Sequence, residues 1–211
     1  MMTPQKLKLM YLSCLLIVSA PTLASEKNEN TRWSFQIEAG IENQSNLTLD
    51  DIDTVSSESS SGKYVKTKVG VNHKFGNGAR ISTSVLHSKN NYDDQQGFDA
   101  SNLMYNLGLS KKLDGYTLGV RTVYVDSNIE GENFLTFTQV SPYISTFINK
   151  KMHLTFGVDS TSKELTTNPD RDSDAVSFYV DGRLFINGLN QYVTGSIKHK
   201  TETADDEVYD L

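Results

Sequence analysis

A regular beat of turn signals constrains this chain more than any other feature. Asn77 (in Phe75-Gly76-Asn77-Gly78), Asp114 (Asp114-Gly115), Asn149 (Asn149-Lys150-Lys151) and Asn187 (Asn187-Gly188) stand 37, 35 and 38 residues apart. Asn-Gly and Asp-Gly supply the positive-φ residues that two-residue hairpins require, and each signal sits between two long alternating runs. Midway between the turns, over 43–62, 90–98, 126–133 and 163–174, the chain becomes long, polar and acidic. This pattern predicts antiparallel strands joined by short turns at one end and long loops at the other.

Nine runs carry a period of two, in which successive side chains fall on opposite faces. In the first, Trp33, Phe35, Ile37, Ala39 and Ile41 oppose Ser34, Gln36, Glu38, Gly40 and Glu42. In the second, Val65, Thr67, Val69 and Val71 oppose Lys66, Lys68, Gly70 and Lys74. The fourth sets Leu103, Tyr105, Leu107 and Leu109 against Asn102, Asn106, Gly108 and Ser110, and the fifth sets Leu118 and Val120 against Gly119 and Arg121. The seventh sets Leu154, Phe156 and Val158 against Thr155, Gly157 and Asp159, and the eighth sets Phe178, Val180 and Leu184 against Tyr179, Asp181 and Arg183. The third (Arg80–His87), sixth (Phe134–Ile148) and ninth (Gln191–His199) are noisier, and Pro142 predicts a bulge or rim position in the sixth.

Run length and composition favour a membrane setting. The runs last about 10–13 residues, whereas soluble strands cluster near 5–6 and a tilted membrane strand needs about 9–11. One face is apolar, and the other mixes charges with glycine, as a wet lumen behind a lipid-facing wall would require. A soluble sandwich or periplasmic barrel would instead turn the apolar face inward. The expected fold is therefore an all-β, antiparallel up-and-down transmembrane β-barrel of the bacterial outer membrane, with about nine strands over 32–211. The charges expected to face its lumen are Glu38, Glu42, Lys66, Lys68, Lys74, Arg121, Asp159, Asp181 and Arg183.

The first 24 residues read as a secretory signal. Lys6 and Lys8 form a positive start, Leu9–Val18 an apolar core too short to span a bilayer, and Thr22-Leu23-Ala24 a small-residue cleavage site. The single cysteine, Cys14, lies inside that core with Leu15–Val18 continuing past it, which argues against lipidation. The mature chain thus has no thiol or disulfide chemistry. Loss of Lys6 and Lys8 takes the formal charge from -6 to -8, a poor balance for a nucleic-acid binder. The expected surroundings are outer-membrane lipid, lipopolysaccharide and the barrel assembly machinery, and no cofactor is expected.

Short turns normally face the periplasm, so a first strand leaving the short segment 25–31 runs outward. Nine strands then end outside, with Asp205, Asp206, Glu207 and Asp210 opening a further acidic loop. Single-chain bacterial barrels normally hold an even number of strands, so the expectation is an incomplete barrel truncated at its C-terminus.

The stretches Glu38–Asp50 (EAGIENQSNLTLD), Val140–Ser145 (VSPYIS) and Asp170–Ser177 (DRDSDAVS) resemble the barrel region of surface-lipoprotein-assembly-modifier proteins and related TPR-plus-barrel outer-membrane proteins. The resemblance covers most of Trp33–Leu211. It implies the barrel of a surface-protein translocation system, with a surface lipoprotein as cargo. Members that export lipoproteins carry a periplasmic helical-repeat domain ahead of the barrel. No such domain is expected where only 25–31 separates the leader from the first strand.

Other constellations carry less chemistry. Glu38 and Glu42 beside Lys66, Lys68 and Lys74 make either a solute-selecting constriction or a stiffening cross-strand ladder worth ~0.2–1 kcal/mol per pair. Asp170, Asp172 and Asp174 have calcium-loop spacing, but Ala175 replaces the glycine that such a loop needs at its sixth place. Asp50, Asp51 and Asp53 are expected to be solvated loop charges. The four histidines (His73, His87, His153, His199) lack a Ser/Asp constellation in sequence, so no catalytic or metal residue is assigned. The expected function is non-enzymatic, as a porin-like pore or a translocation barrel. The alternatives are a structural or surface-interaction barrel with acidic external loops and, third, a membrane-embedded hydrolase.

Overall fold

Alternation that survives every turn produces one continuous sheet. The computed structural model describes residues 16–18, 30–44, 47–49, 54–56, 60–93, 99–149, 151–187, 191–204 and 208–210. Nine long strands follow one another in space as in sequence: β1 Thr31–Gln44, β2 Ser60–Lys74, β3 Ala79–Tyr92, β4 Ala100–Lys112, β5 Tyr116–Ile129, β6 Glu132–Ile148, β7 Met152–Leu165, β8 Ser173–Asn187 and β9 Gln191–Ala204. All neighbouring pairs are antiparallel. Two three-residue segments extend the ends, Leu16–Val18 against Ile37–Ala39 and Val208–Asp210 against Thr201–Thr203. No ladder joins β1 to β9 among the described residues, so the sheet is open. A separate small ribbon pairs Leu47–Leu49 with Thr54–Ser56. The described residues contain no helix long and apolar enough to cross a membrane.

The nine expected runs are the nine long strands, but the turns differ from expectation. At Gly78 and Gly115 the glycine alone takes φ +81, and neither Asn77 nor Asp114 has a positive φ. Asn77 acts through its side chain, whose Oδ1 accepts the Ala79 N–H at 3.1 Å. Asn149 does adopt the left-handed region, with φ 52. The largest correction falls at 126–133, expected to be a long loop. There β5 runs to Ile129 and β6 resumes at Glu132, leaving Glu130 (φ 55) and Gly131 (φ 86) as a two-residue turn. A register shift between Ser127 and Asn128 breaks the alternation there, which is why the strand ends read as loop.

Pro142 also departs from expectation, since it causes neither a bulge nor a rim position. It pairs with Val120 in the middle of the β5–β6 ladder. On the other side two pairs are missing between Gly157↔Tyr143 and Ser160↔Val140, yet the register is the same before and after. The absent N–H therefore removes ladder bonds locally without displacing the strand.

The two faces have opposite characters, and burial distinguishes them. Trp33 is 60% and Ile197 77% exposed, while Asp159 is 6% and Ser177 2% exposed. Phe35, Val69, Leu107, Leu118, Phe156 and Phe178 are likewise exposed. The polar phase lies on the concave side, where Arg121 of β5 reaches across two strands to donate to the Tyr179 hydroxyl of β8 at 2.7 Å. Close backbone approach on that side needs glycine. A Cβ at Gly157 would sit inside the Tyr179 ring, and one at Gly119 inside the Tyr143 ring.

Candidate functional site

The concave face is layered along the strands. Nearest the hairpin turns it holds a cavity of about 790 Å³, lined from β2 to β9. Its cations are Lys74, Arg80, Lys112, Arg121 and Arg183, with His153 beside them and Asp181 as the carboxylate. Each reaches this wall because of its strand phase. Lys74 pairs with Arg80 across β2–β3, and His153 with Arg183 across β7–β8. None of the five cations forms a salt bridge among the described residues. Arg121 lies over the Tyr143 ring at 5.0 Å and Arg183 over the Tyr192 ring at 4.7 Å, contacts that hold a guanidinium without neutralising it. The Asp181 carboxylate accepts the Ser196 hydroxyl at 2.6 Å. Aromatic rings continue along the same end: Phe147 lies 4.8 Å from His153 and 6.1 Å from Phe185.

The middle layer is a compensated polar girdle around a second cavity of about 440 Å³. Asp159, buried on β7, accepts the Ser141 hydroxyl at 2.7 Å and the Lys198 ammonium at 2.9 Å. The Ser141 contact bridges β6 and β7 at the level where Pro142 interrupts their backbone ladder. Toward the loops β3–β6 of the same face carry an apolar row, flanked by Lys68 of β2 and Lys163 of β7. Leu86 pairs with Met104, Met104 with Val125, and Val125 with Phe137, so four adjacent strands form one hydrophobic row.

The charges singled out from sequence divide among these layers. Lys74, Arg121, Asp181 and Arg183 share the hairpin-end cavity, and Asp159 stands in the middle layer with Lys198. Glu38 and Lys66 are directly paired across β1–β2; Tyr64 donates to Glu38 at 3.2 Å, and the Lys66 ammonium lies 4.9 Å from that ring. Lys68 pairs with Gln36 and Leu86. Glu42 pairs with Gly62 along the backbone, and its side chain lies outside the described residues. Those two glutamates and three lysines are therefore not one constriction, because Lys74 is at the other end of β2 from Lys66.

Sequence reasoning missed Arg80, Lys112 and Lys198. Arg80 is the first inward position after a turn and Lys112 the last before one, while Arg80 and Lys198 both sit in noisy runs. Carrying the parity through those two runs, and one step further along β4, would have found them. Of the histidines, His73, His87 and His199 lie on the outward phase, paired with Thr31, Thr67 and Phe178 respectively. Asp172 accepts the Leu165 N–H at 2.6 Å and closes the 3-10 turn Pro169–Arg171, while Asp174 pairs with Ser162 in the β7–β8 ladder. Asp50, Asp51, Asp53, Asp205, Asp206 and Glu207 lie outside the described residues, as do Lys6, Lys8 and the cleavage site. No family model matches the chain, and no curated protein matches it.

Proposed function

We propose that this chain is a non-enzymatic β-barrel protein of a Gram-negative outer membrane, acting as a pore or as the barrel of a surface-protein translocation system. The observation that carries the reading is the inversion of its two faces. Large apolar side chains are exposed on the outer phase, and the buried groups of the inner phase include Ser141, Ser145, Asp159 and Ser177. In water that arrangement leaves a wide apolar surface uncovered, far beyond what a soluble monomer tolerates. In lipid the same surface is solvated by acyl chains while the concave face stays wet. An outer groove lined by Leu118, Pro142, Ile144, Phe156, Phe178 and Ile197 fits a lipid chain. A lipid-embedded sheet also needs its edges paired, so β1 and β9 meet each other or further strands. The resemblance to lipoprotein-assembly barrels supports the translocation form of the proposal, with a surface lipoprotein as cargo.

The test is fractionation of the expressed protein followed by electrophoresis with and without heating. Recovery in the outer membrane with heat-modifiable migration supports the reading. Recovery in the soluble periplasmic fraction overturns it. Single-channel recording in planar bilayers then separates a conducting pore from a closed barrel.

A further inference from the structure

We propose that Lys74, Arg80, Lys112, Arg121 and Arg183 make the hairpin-end mouth of the concave face anion-selective, a subsite for small solutes bearing phosphate or carboxylate. The inference rests on the pore reading above and names the class of solute it would favour. Its basis is a local charge imbalance that runs against the whole chain. The protein has a formal charge of -6, yet this cavity of about 790 Å³ is lined by five cations and one carboxylate, Asp181. Acidic residues elsewhere do not relieve it. Carboxylates deeper on this face are already engaged, Asp159 by Lys198 at 2.9 Å, Glu202 by Lys200 at 2.5 Å and Glu38 by the Tyr64 hydroxyl at 3.2 Å. Asp181 is itself satisfied by a neutral hydroxyl, that of Ser196.

The five cationic side chains are exposed and none is ion-paired among the described residues, so each projects its field into the open cavity. Screening acts over about 8 Å at physiological ionic strength, comparable with the width of such a space, so an entering ion feels several of the cations together. The rim chemistry suits oxyanions. Arg80 and Arg183 bring planar donor forks that match two oxygens of a phosphate or carboxylate, and Lys74 and Lys112 add point charges. Rings of fixed cationic side chains are one of the ways a pore discriminates by sign.

The experiment is reversal-potential measurement in planar bilayers across a potassium chloride gradient, using the full chain. Chloride should be favoured over potassium, with the preference growing as salt is diluted. The triple variant Arg80→Gln/Lys112→Gln/Arg183→Gln should lose that preference. Arg80→Lys/Arg183→Lys should keep it, as should Lys89→Gln, which neutralises a charge on the outer phase of β3. Heat-modifiable migration identifies variants that assemble; if the triple variant does not, Arg183→Gln alone should weaken the preference. Conductance that is cation-selective, or indifferent to these changes, overturns the anion subsite and leaves the pore standing. A protein that does not conduct overturns the pore. In that case phosphorus-NMR line broadening by inorganic phosphate decides the subsite: broadening that the triple variant abolishes supports it, and no broadening overturns it.

Discussion

The outer and inner faces of the same nine strands follow different rules. Across its central band the outer face is nearly one material: Trp33, Val69, Leu107, Leu118, Phe156 and Phe178 share a phase in which, among the described strand residues, His73, His87 and His199 are the only titratable bases before Lys63, Lys89, Lys111, Asp126, Glu164 and Asp174 near the strand ends. The inner face changes with height, from the cationic cavity through the Asp159–Lys198 girdle to the Leu86–Met104–Val125–Phe137 row. A face in contact with one uniform medium needs only one kind of side chain. A face that must fill and charge a space of its own needs different residues at each level.

The comparison is broken most directly by exchanging the faces. Phe156→Arg or Val69→Arg should cost about 2–4 kcal/mol if the outer band lies at mid-bilayer. Thr155→Arg, one residue away on the inner phase, should cost far less. Urea titration of liposome-reconstituted protein measures both, and equal costs would mean that the faces do not meet different media. Next in size is Asp159→Ala, which strips Lys198 and Ser141 of their shared acceptor and should lose about 1.5–3 kcal/mol in the same titration. A loss below that of an exposed control such as Glu130→Ala would remove the girdle from the account.

Glycine sharpens the inner half of the comparison. Gly157→Ala places a methyl in the Tyr179 ring and should cost about 1–3 kcal/mol, with Tyr179→Ala in the same chain recovering part of it. Additive losses from the two changes would show that the ring does not rest on that glycine. The smallest effect is expected at Pro142→Ala, about 0.5–1.5 kcal/mol in favour of the variant, from one regained ladder bond toward β7. Hydrogen exchange should then show a protected amide at position 142; a freely exchanging one would mean that the gap has another cause.

The outer face was legible in the sequence because its requirement repeats every second residue and never changes along the band. Phe35 and Leu107 betray their phase without any knowledge of a partner strand. The inner face was legible only where a strand kept glycines or charges in step, as around Arg121 and Asp181. Leu86 and Phe137 hid it elsewhere, since an apolar residue on the polar phase looks like noise until the register joins it to Met104 and Val125. The turn at Glu130–Gly131 was concealed for a different reason. Polar residues at the ends of long strands look like loop, and only cross-strand pairing separates the two. The cationic cavity needed the same information, because Lys74 and Arg183 are far apart in sequence and share a space only through curvature.

The unbroken order of the strands has a consequence for the time course of assembly. Every long strand pairs with those immediately before and after it, so each new contact closes a short loop and the contact order stays low for so large a sheet. The sheet can grow by one hairpin at a time, with the newest strand always forming the exposed edge. An arrested assembly would therefore be a shorter meander rather than a scrambled one. In a pulse-proteolysis experiment protection should spread along the chain strand by strand, with the boundary between cut and uncut chain falling at the turns near Gly78, Gly115 and Asn149.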